Sequence, residues 1–385
     1  MDFNTESTYQ EYFSKAHDMV RKSVRDFIRK EILPFIDEWE EAGEFPREIY
    51  KKAADVGILG MGYPEAYGGT PGNVFFQIAV SEELMRSTSG GFCAGLGSLN
   101  IAIPPILNLG TEEQKNKFIP PVLAGEKIAA LGITEPGGGS DVANIQTTAE
   151  RDGDDYIING SKTFITSGCR ADQLTCAVRT GGEGAHGISL IVIEADTPGY
   201  STSEKLKKTG WWASDTAEIF FNNCRVPAAN LIGEENQGFY GIMMNFQAER
   251  LSLAVMANMT ARMALEEAIK YAKERKAFGK SLTGFQVNRH KLADMATLVE
   301  ASTEFTYRVA AKIGAGVDQV KEVSMAKNFA CDASDKVTYD AVQLFGGYGY
   351  MRGYTVERLY RDNRILSIGG GTREVMNEII SRLAL

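Results

Sequence analysis

Hydrophobic periodicity divides this chain of 385 residues into three parts, and the division limits the folds that it can adopt. From Tyr9 to about Gly125, apolar residues recur every three or four positions, which predicts helices that each bury one face. Between Ala149 and Leu231, short runs of β-forming residues alternate with Asp-Gly, Asn-Gly and Gly-Gly turns, which predict a small antiparallel β domain. From Gly238 the helical period returns and continues to the end. We therefore expect an α+β protein with an N-terminal helical domain (1–127), a middle β domain (128–233) and a C-terminal helical domain (234–385).

Several helices can be bounded from the sequence. In the N-terminal part, Thr111 and Gln114 have the spacing of a capping box, which predicts that a helix begins there. In the C-terminal part, the apolar period predicts three long helices, over about 239–275, 286–314 and 321–344.

Composition argues against several classes of protein. The net charge of -9 disfavours a nucleic-acid-binding protein, which needs a basic face. The five cysteines show no Cys-x-x-Cys spacing and the three histidines are scattered, so we expect neither a metal site nor a disulfide framework. The segment Met1 to Lys15 is polar, and no apolar run approaches the ~20 residues that cross a bilayer. We expect a soluble protein without a membrane span in a reducing compartment, preferably the bacterial cytoplasm, or else the mitochondrial matrix.

A glycine-rich segment from Leu131 to Asp141 is a candidate binding loop. Three consecutive glycines leave the backbone N–H groups open to a ligand, and Thr134 and Ser140 add hydroxyl groups at the two edges. A ring system or a phosphate could lie against such a loop. The same residues are also compatible with an ordinary surface turn.

An acid interrupts the apolar stripe of the first long C-terminal helix. Ile242, Phe246, Leu253 and Met256 mark the stripe, and Glu249 occupies the position that continues it. Arg250 is adjacent in sequence, but neighbouring residues on a helix do not face each other. Glu249 is therefore either at the solvated margin of a rotated helix or a general base in a dry pocket, where its pKa would be raised.

Taken together, these segments resemble the acyl-CoA dehydrogenases, and the likeness extends from about Tyr12 to Leu385. Residues 133–141 are similar to the family signature that meets the flavin, and residues 162–168 are similar to the strand that packs an aromatic residue on the flavin ring. The resemblance implies the family fold with a C-terminal four-helix bundle, and FAD as cofactor. In this part of the chain it implies FAD contacts by Leu131, Ile133, Thr134, Gly139, Ser140, Phe164, Ile165 and Thr166.

Two further segments resemble the parts of the family that reach the FAD of a neighbouring subunit. They are residues 275–286 and residues 343–347. The resemblance implies a homo-oligomer, usually a tetramer, and an electron-transfer flavoprotein as acceptor. It implies further cofactor contacts by Arg275, Phe278, Gln286, Gln343, Leu344, Gly346, Gly347, Thr372 and Glu374.

The position of the catalytic base separates two branches of this family. Many members carry a Glu where this chain has Gly370, whereas the isovaleryl-type and long-chain-type enzymes carry it in a Glu-Arg-Leu context like that of Glu249. The resemblance thus implies that Glu249 is the base and that the Gly370 N–H helps to stabilise the enolate. Glycine in place of a carboxylate side chain at position 370 is expected to enlarge one wall near the reacting carbons, and the region from Phe92 to Asn100 is rich in small residues. Both features favour a long or branched acyl chain. The implied substrate-binding residues are Ser140, Phe239, Met243, Phe246, Arg250, Gly370 and Gly371.

The expected reaction is the α,β-desaturation of an acyl-CoA thioester, with removal of the α-proton by Glu249 and transfer of the β-hydride to flavin N5. Flavin monooxygenases and nitroalkane oxidases share the scaffold and form the alternative. A non-catalytic CoA-binding protein is a third possibility.

Overall fold

The structure is a computed structural model that describes residues 9–385, so part of the polar segment Met1 to Lys15 lies outside the described residues. The N-terminal part is helical. Thr111 and Gln114 form the predicted capping box at the start of α8, with both reciprocal hydrogen bonds present. The helices are α1 (Lys15–Phe27), α2 (Ile36–Ala42), α3 (Glu48–Asp55), α4 (Val74–Met85), α5 (Gly90–Leu96), α6 (Leu99–Ala102), α7 (Pro104–Leu109), α8 (Glu112–Phe118) and α9 (Pro120–Leu123).

The middle part is one sheet with the order β6-β7-β3-β2-β4-β5-β8, and β1 pairs with β4. Most pairs are antiparallel, but β1 runs parallel to β4 along its whole length, and β2 also meets β4 in parallel at one position. The expectation of an antiparallel domain is therefore wrong for the pairing of β4 with β1 and β2. The strands are β1 (Ala129–Gly132), β2 (Thr148–Asp152), β3 (Asp155–Thr166), β4 (Gln173–Arg179), β5 (Ile188–Glu194), β6 (Tyr200–Thr202), β7 (Thr216–Pro227) and β8 (Leu231–Ile232).

The C-terminal part is helical again. Helices α10, α11 and α12 pack against one another, and α15 packs against α12. The three long helices differ by one residue or less at each end from the ranges predicted from periodicity. The elements are α10 (Gly238–Glu274), β9 (Lys276–Ala277), β10 (Lys280–Ser281), α11 (Gln286–Gly314), α12 (Val320–Phe345), α13 (Gly347–Tyr350), α14 (Thr355–Asn363) and α15 (Arg373–Ala384).

One apolar core runs through all three parts. It includes Phe92 of α5, Leu190 of β5 and Leu253 of α10. Because side chains of a strand alternate between faces, Ile191 and Ile193 of β5 lie in a second core on the other face of the sheet. The helices and strands that carry the candidate site are therefore held in place relative to one another by a shared apolar core. The domain boundaries at 127/128 and 233/234 stay a prediction.

The described residues bear on three further expectations, those on a membrane span, disulfides and a metal site. Within residues 9–385, no single helix has both the length and the apolar character to cross a bilayer, although the bent pair Gly90–Leu96 with Leu99–Leu109 meets both conditions jointly. All five cysteines are free. Across the same residues, no group of three or more His, Cys, Asp or Glu side chains is arranged to hold a metal ion.

Candidate active site

Glu249 lies on α10 and points one carboxylate oxygen into the interior. The side chain as a whole is half-buried, but its Oε2 atom is shielded from solvent and has no hydrogen-bond partner. Burial raises the pKa of Glu249 above its ordinary value, and the positive charges of Lys327 and Arg250 oppose this shift only in part. The Oε2 atom of Glu249 thus lies in the interior, as expected for a base in a pocket, while the rest of the side chain stays partly exposed. An unpartnered carboxylate with a raised pKa is suited to accept a proton.

The glycine turn before α15 lies against this carboxyl group. Gly370 and Gly371 have φ of 61° and 96°, a region that favours glycine. A Cβ atom added to Gly370 would lie 3.3 Å from Cδ of Glu249 and 2.5 Å from Cδ1 of Leu253. The turn and the acid therefore face each other, as the resemblance implies. Gly370 does not enlarge a pocket wall as expected, because Leu253 fills that space.

Lys327 of α12 is a component of this site that the sequence analysis missed. Its Nζ atom donates hydrogen bonds to the carbonyl oxygens of Gly369, at 2.6 Å, and Gly371. The side chain is only 1 % exposed. The sequence does hold a signal, because Lys327 interrupts a buried stripe that includes Val323 and Ala330, just as Glu249 interrupts the stripe of α10.

A buried ion pair holds the glycine-rich loop against β3. Oε1 of Glu135 lies 2.7 Å from Nζ of Lys162, which is fully buried. The Glu135 carboxylate also accepts hydrogen bonds from the N–H groups of Gln146 and Thr147, at 2.6 and 2.9 Å. Although burial alone would raise it, Lys162 and these donors hold the pKa of Glu135 below its ordinary value. This pair was also missed by the sequence analysis, because it joins residues from two separate segments.

We expect Lys162→Met to lower the free energy of unfolding by about 3–5 kcal/mol, because it leaves the Glu135 carboxylate in the interior without its charge partner. The loss should be largest at neutral pH and should shrink as the pH falls toward the lowered pKa of Glu135, below which the carboxyl group is protonated in both the folded and the unfolded state. Urea denaturation at several pH values measures both effects.

Two variants serve as controls for this loss. Lys205→Met removes a half-exposed cation 3.5 Å from Glu44, and we expect a change below about 1 kcal/mol. The double variant Glu135→Gln with Lys162→Met should be more stable than Lys162→Met alone, because no unpaired charge remains. Equal losses in the single and double variants would contradict the argument.

Phe164 forms an exposed aromatic surface beside the glycine-rich loop. Its ring is 70 % exposed, and its φ of 59° costs about 1–2 kcal/mol for a residue other than glycine. The register of β3 against β7 shifts between Lys162 and Ile165, which marks a bulge at this position. The Thr163 N–H donates to the Thr134 carbonyl oxygen at 2.8 Å and so joins strand and loop.

The surroundings of this ring fit a flat aromatic cofactor. Gly139 and Ser140 of the loop are exposed, whereas Ile133 and Ile165 are buried beneath them, and Leu131, Thr134 and Thr166 are half-buried. A stacking surface next to open backbone and hydroxyl groups is what an isoalloxazine ring requires. The predicted contacts of this first group are thus brought together in one place.

The predicted acyl-chain residues share one side of α10. Phe239, Met243 and Phe246 are partly buried against the main core. The Arg250 guanidinium carbon lies 5.9 Å from the centre of the Phe246 ring, and its Nε atom is buried without a hydrogen-bond partner. Burial lowers the pKa of Arg250. These four residues follow one another at spacings of three and four along the helix.

The small residues between Phe92 and Asn100 do not open a wide pocket. A Cβ atom on Gly95 would lie 2.8 Å from the Phe45 ring, and one on Gly97 would lie 2.8 Å from the Cys93 carbonyl oxygen. These glycines therefore permit close packing of α5. At these two positions the small residues leave no open space for an acyl chain.

The second group of predicted cofactor residues lies at the far end of the C-terminal helices. A contact between Arg275 and Tyr348 connects the segment 275–286 with the segment that follows α12. The Arg275 guanidinium carbon lies 5.9 Å from the centre of the Tyr348 ring. Phe278 is 96 % exposed, and Leu344 is buried. The remaining members, Gln286, Gln343, Gly346 and Gly347, are exposed.

Thr372 and Glu374 follow the glycine turn directly. Thr372 caps α15, since its Oγ1 accepts a hydrogen bond from the Val375 N–H at 3.3 Å. Glu374 is exposed at the first turn of this helix. Both lie within four residues of Gly370.

Family models match almost the whole chain. The model described as acyl-CoA dehydrogenase, N-terminal domain, matches residues 14–126, the middle domain matches residues 130–224, and the C-terminal domain matches residues 236–385. The long-chain specific acyl-CoA dehydrogenase of Sus scrofa mitochondria is 42% identical over 373 residues, which cover 96% of this chain and 86% of that protein. The caffeyl-CoA reductase-Etf complex subunit CarC of Acetobacterium woodii is 40% identical over 377 residues, 97% of this chain and 99% of that one.

Solved structures agree with these matches. A probable acyl-CoA dehydrogenase from Mycobacterium abscessus has a TM-score of 0.96 at 50% identity, and the match covers 97% of this chain and 100% of that one. An acyl-CoA dehydrogenase from Bacillus anthracis, solved in complex with FAD, has a TM-score of 0.91 at 32% identity, and covers 97% of this chain and 67% of that one. The predicted fold class and FAD as cofactor are confirmed. This chain belongs to the acyl-CoA dehydrogenase family, and it is a flavin-dependent oxidoreductase that acts on acyl-CoA.

Proposed function

We propose that Glu249 is the general base of an α,β-desaturation of an acyl-CoA thioester. The observation that carries this proposal is the position of Glu249, whose Oε2 atom is buried without a partner against the backbone of Gly370. Position 370, where many family members carry the catalytic Glu, is a glycine in this chain and supplies no carboxylate. The base therefore comes from α10 and not from the turn.

In this reaction the Cα–H bond of the thioester breaks and Glu249 takes the proton. The electron pair moves into the thioester to form an enolate, whose oxygen requires a hydrogen-bond donor. The N–H group of Gly370 is the donor that this chain offers. FAD, when bound, supplies the acceptor for the hydride that leaves the β-carbon. Burial of the Glu249 carboxyl group excludes water and raises its basicity.

Two properties support a long-chain or branched substrate. The first is the combination of Glu249 with Gly370, which resembles the long-chain and isovaleryl branches of the family. The second is the similarity to the long-chain specific enzyme of Sus scrofa. We infer that Phe239, Met243 and Phe246 line the path of the acyl chain, with Ser140, Arg250 and Gly371 as further contacts.

We infer a homotetramer in which the second group of cofactor residues, at the ends of α10 and α12, faces the FAD of a neighbouring subunit. Phe278 of this group is almost fully exposed in the single chain and is therefore accessible to another copy. An electron-transfer flavoprotein is the proposed acceptor, and the Acetobacterium woodii relative is a subunit of a caffeyl-CoA reductase-Etf complex. The bacterial cytoplasm stays the preferred location.

Anaerobic titration of the oxidised holoenzyme with a panel of acyl-CoA thioesters tests this function. We expect long straight-chain or branched thioesters to bleach the flavin at lower concentration than butyryl-CoA does. The bleached enzyme should pass electrons to an electron-transfer flavoprotein and react slowly with oxygen. Rapid oxygen consumption without that acceptor would favour the monooxygenase or oxidase alternative, and preference for butyryl-CoA would overturn the substrate class.

A further inference from the structure

Lys327 is a buried cation for which packing alone gives no reason. It is 1 % exposed on α12, and none of the ion pairs among residues 9–385 includes it. Its Nζ atom instead donates to two peptide carbonyl oxygens, those of Gly369 and Gly371. An ammonium group in the interior is unfavourable unless it has such partners, and an apolar side chain of similar length would avoid this cost. A role beyond stability is therefore the better explanation.

The two carbonyl groups that Lys327 binds lie on either side of Gly370. The Gly369 carbonyl and the Gly370 N–H belong to one peptide unit, and no peptide bond of the described residues is cis. In a trans peptide the C=O and N–H bonds point in opposite directions. Because Lys327 fixes the Gly369 oxygen, it aims the Gly370 N–H away from α12. A cation on the carbonyl oxygen also polarises the peptide, which strengthens the N–H as a donor.

The Gly370 N–H is available for a ligand. Among the backbone hydrogen bonds of residues 9–385, none uses this N–H, although Gly369 on one side donates to Ile365 at 2.8 Å. The same turn lies against the Glu249 carboxyl group. One side chain thus orients a free donor next to the proposed base.

Lys327 also acts on Glu249 through space. The charged groups that face Glu249 are Lys327 of α12 and Arg250 of α10 itself, and Cys331 is the titratable group beside Lys327. Both cations lower the pKa of Glu249 against the effect of burial. Burial in turn lowers the pKa of Lys327, and the nearby Glu249 charge opposes that change. Removal of Lys327 should therefore move the ionisation of Glu249 to higher pH.

We propose that Lys327 is a positioning residue for enolate formation, which holds the Gly369–Gly371 turn so that the Gly370 N–H meets the thioester oxygen while Glu249 removes the α-proton. This inference rests on the proposed function of Glu249 and Gly370. Lys327 is then a third group of the site, beside Glu249 and Gly370. It comes from a different helix and acts without contact to substrate or flavin.

A substrate analogue that stops after proton removal separates this role from the rest of the reaction. In a β-thia acyl-CoA, sulfur replaces the β-carbon, so no hydride can leave. Exchange of its α-hydrogen for deuterium on the holoenzyme, followed by mass spectrometry, reports enolate formation alone. We expect Lys327→Met to slow this exchange by about 10²-fold, as for misplacement of a catalytic group, with the dissociation constant of the analogue changed less than about threefold. The midpoint of exchange against pH should rise.

Three further variants make the outcome decisive. Lys327→Arg keeps a cation and should restore the pH midpoint and most of the rate. Lys208→Met removes another partly buried lysine that donates to a carbonyl oxygen, that of Ser214, and should leave exchange unchanged. Glu249→Gln should abolish exchange, and exchange that survives this change would overturn the proposed function itself.

A different set of results would overturn the role of Lys327 and leave that of Glu249 intact. If Glu249→Gln is inactive but Lys327→Met exchanges at the normal rate, or with an unshifted pH midpoint, Lys327 does not position the turn. If Lys327→Met does not fold, Lys327→Gln takes its place, since an amide still donates to a carbonyl but carries no charge. An unshifted midpoint in that variant would equally overturn the inference.

Discussion

Glu249→Gln is expected to abolish bleaching of the flavin by substrate while FAD stays bound. The amide has nearly the shape of the carboxylate but cannot accept the α-proton, so we expect a loss of about 10⁴-fold, the upper end of the range for a general base. The flavin should remain, because Glu249 is not among the predicted FAD contacts. Stopped-flow absorbance measures the rate, and the visible spectrum measures FAD content.

Glu266→Gln is the matched control for this change. Glu266 lies on the same helix, α10, and its carboxylate pairs with Arg86 at 3.4 Å. We expect near-normal bleaching in this variant. If Glu249→Gln kept a tenth or more of the wild-type rate, Glu249 would not be the base.

The same substitution should change how stability depends on pH. Since burial raises the pKa of Glu249 in the folded protein, the folded state holds this proton more tightly than the unfolded state. Its contribution to the free energy of unfolding is therefore present at low pH and is lost as the pH rises above the ordinary Glu value. The Gln variant lacks this loss, so its stability relative to wild type should increase toward neutral pH. Urea denaturation of both proteins across pH 5–7 would show it, and parallel curves would contradict it.

Gly370→Ala is expected to reduce activity by about 10²–10³-fold, comparable to removal of an enolate donor. The new Cβ would lie 2.5 Å from Leu253 Cδ1 and 3.3 Å from Glu249 Cδ, so the turn, the leucine or the acid must shift. The φ of 61° adds about 1–2 kcal/mol of backbone strain. Steady-state kinetics and thermal unfolding measure the two effects.

The variant Gly153→Ala distinguishes the effect of backbone strain alone from the effect of a changed backbone position at Gly370. Gly153 in the β2–β3 turn also has φ of 61°, and a Cβ there would meet nothing within 4 Å. It should carry the same backbone strain of about 1–2 kcal/mol without the steric contacts, and it should leave activity unchanged. Leu253→Ala combined with Gly370→Ala should recover part of the rate, because the closest contact is removed. A fully active Gly370→Ala variant would show that the backbone at this position does not contribute to the reaction.

Sequence patterns predicted the parts of this site that lie within one element. The stripe of α10 singled out Glu249, and three consecutive glycines singled out the loop before β2. The partners of these residues could not be predicted in this way. Lys327 interrupts its own stripe, but only the fold brings its Nζ atom to the carbonyls of a turn more than forty residues later. Likewise, the parallel pairing of β1 with β4 joins residues that no local turn connects.

The length of α10 has a consequence for assembly. Glu249 lies within α10 and Arg275 directly follows its last residue. The 26 residues between these positions correspond to about 39 Å along the helix at 1.5 Å per residue. In the proposed assembly, a protomer that offers its base to one flavin therefore presents its arginine to a different one. Dilution that separates the subunits should then release FAD and abolish turnover in a single transition. A single protomer would hold only part of each of two active sites.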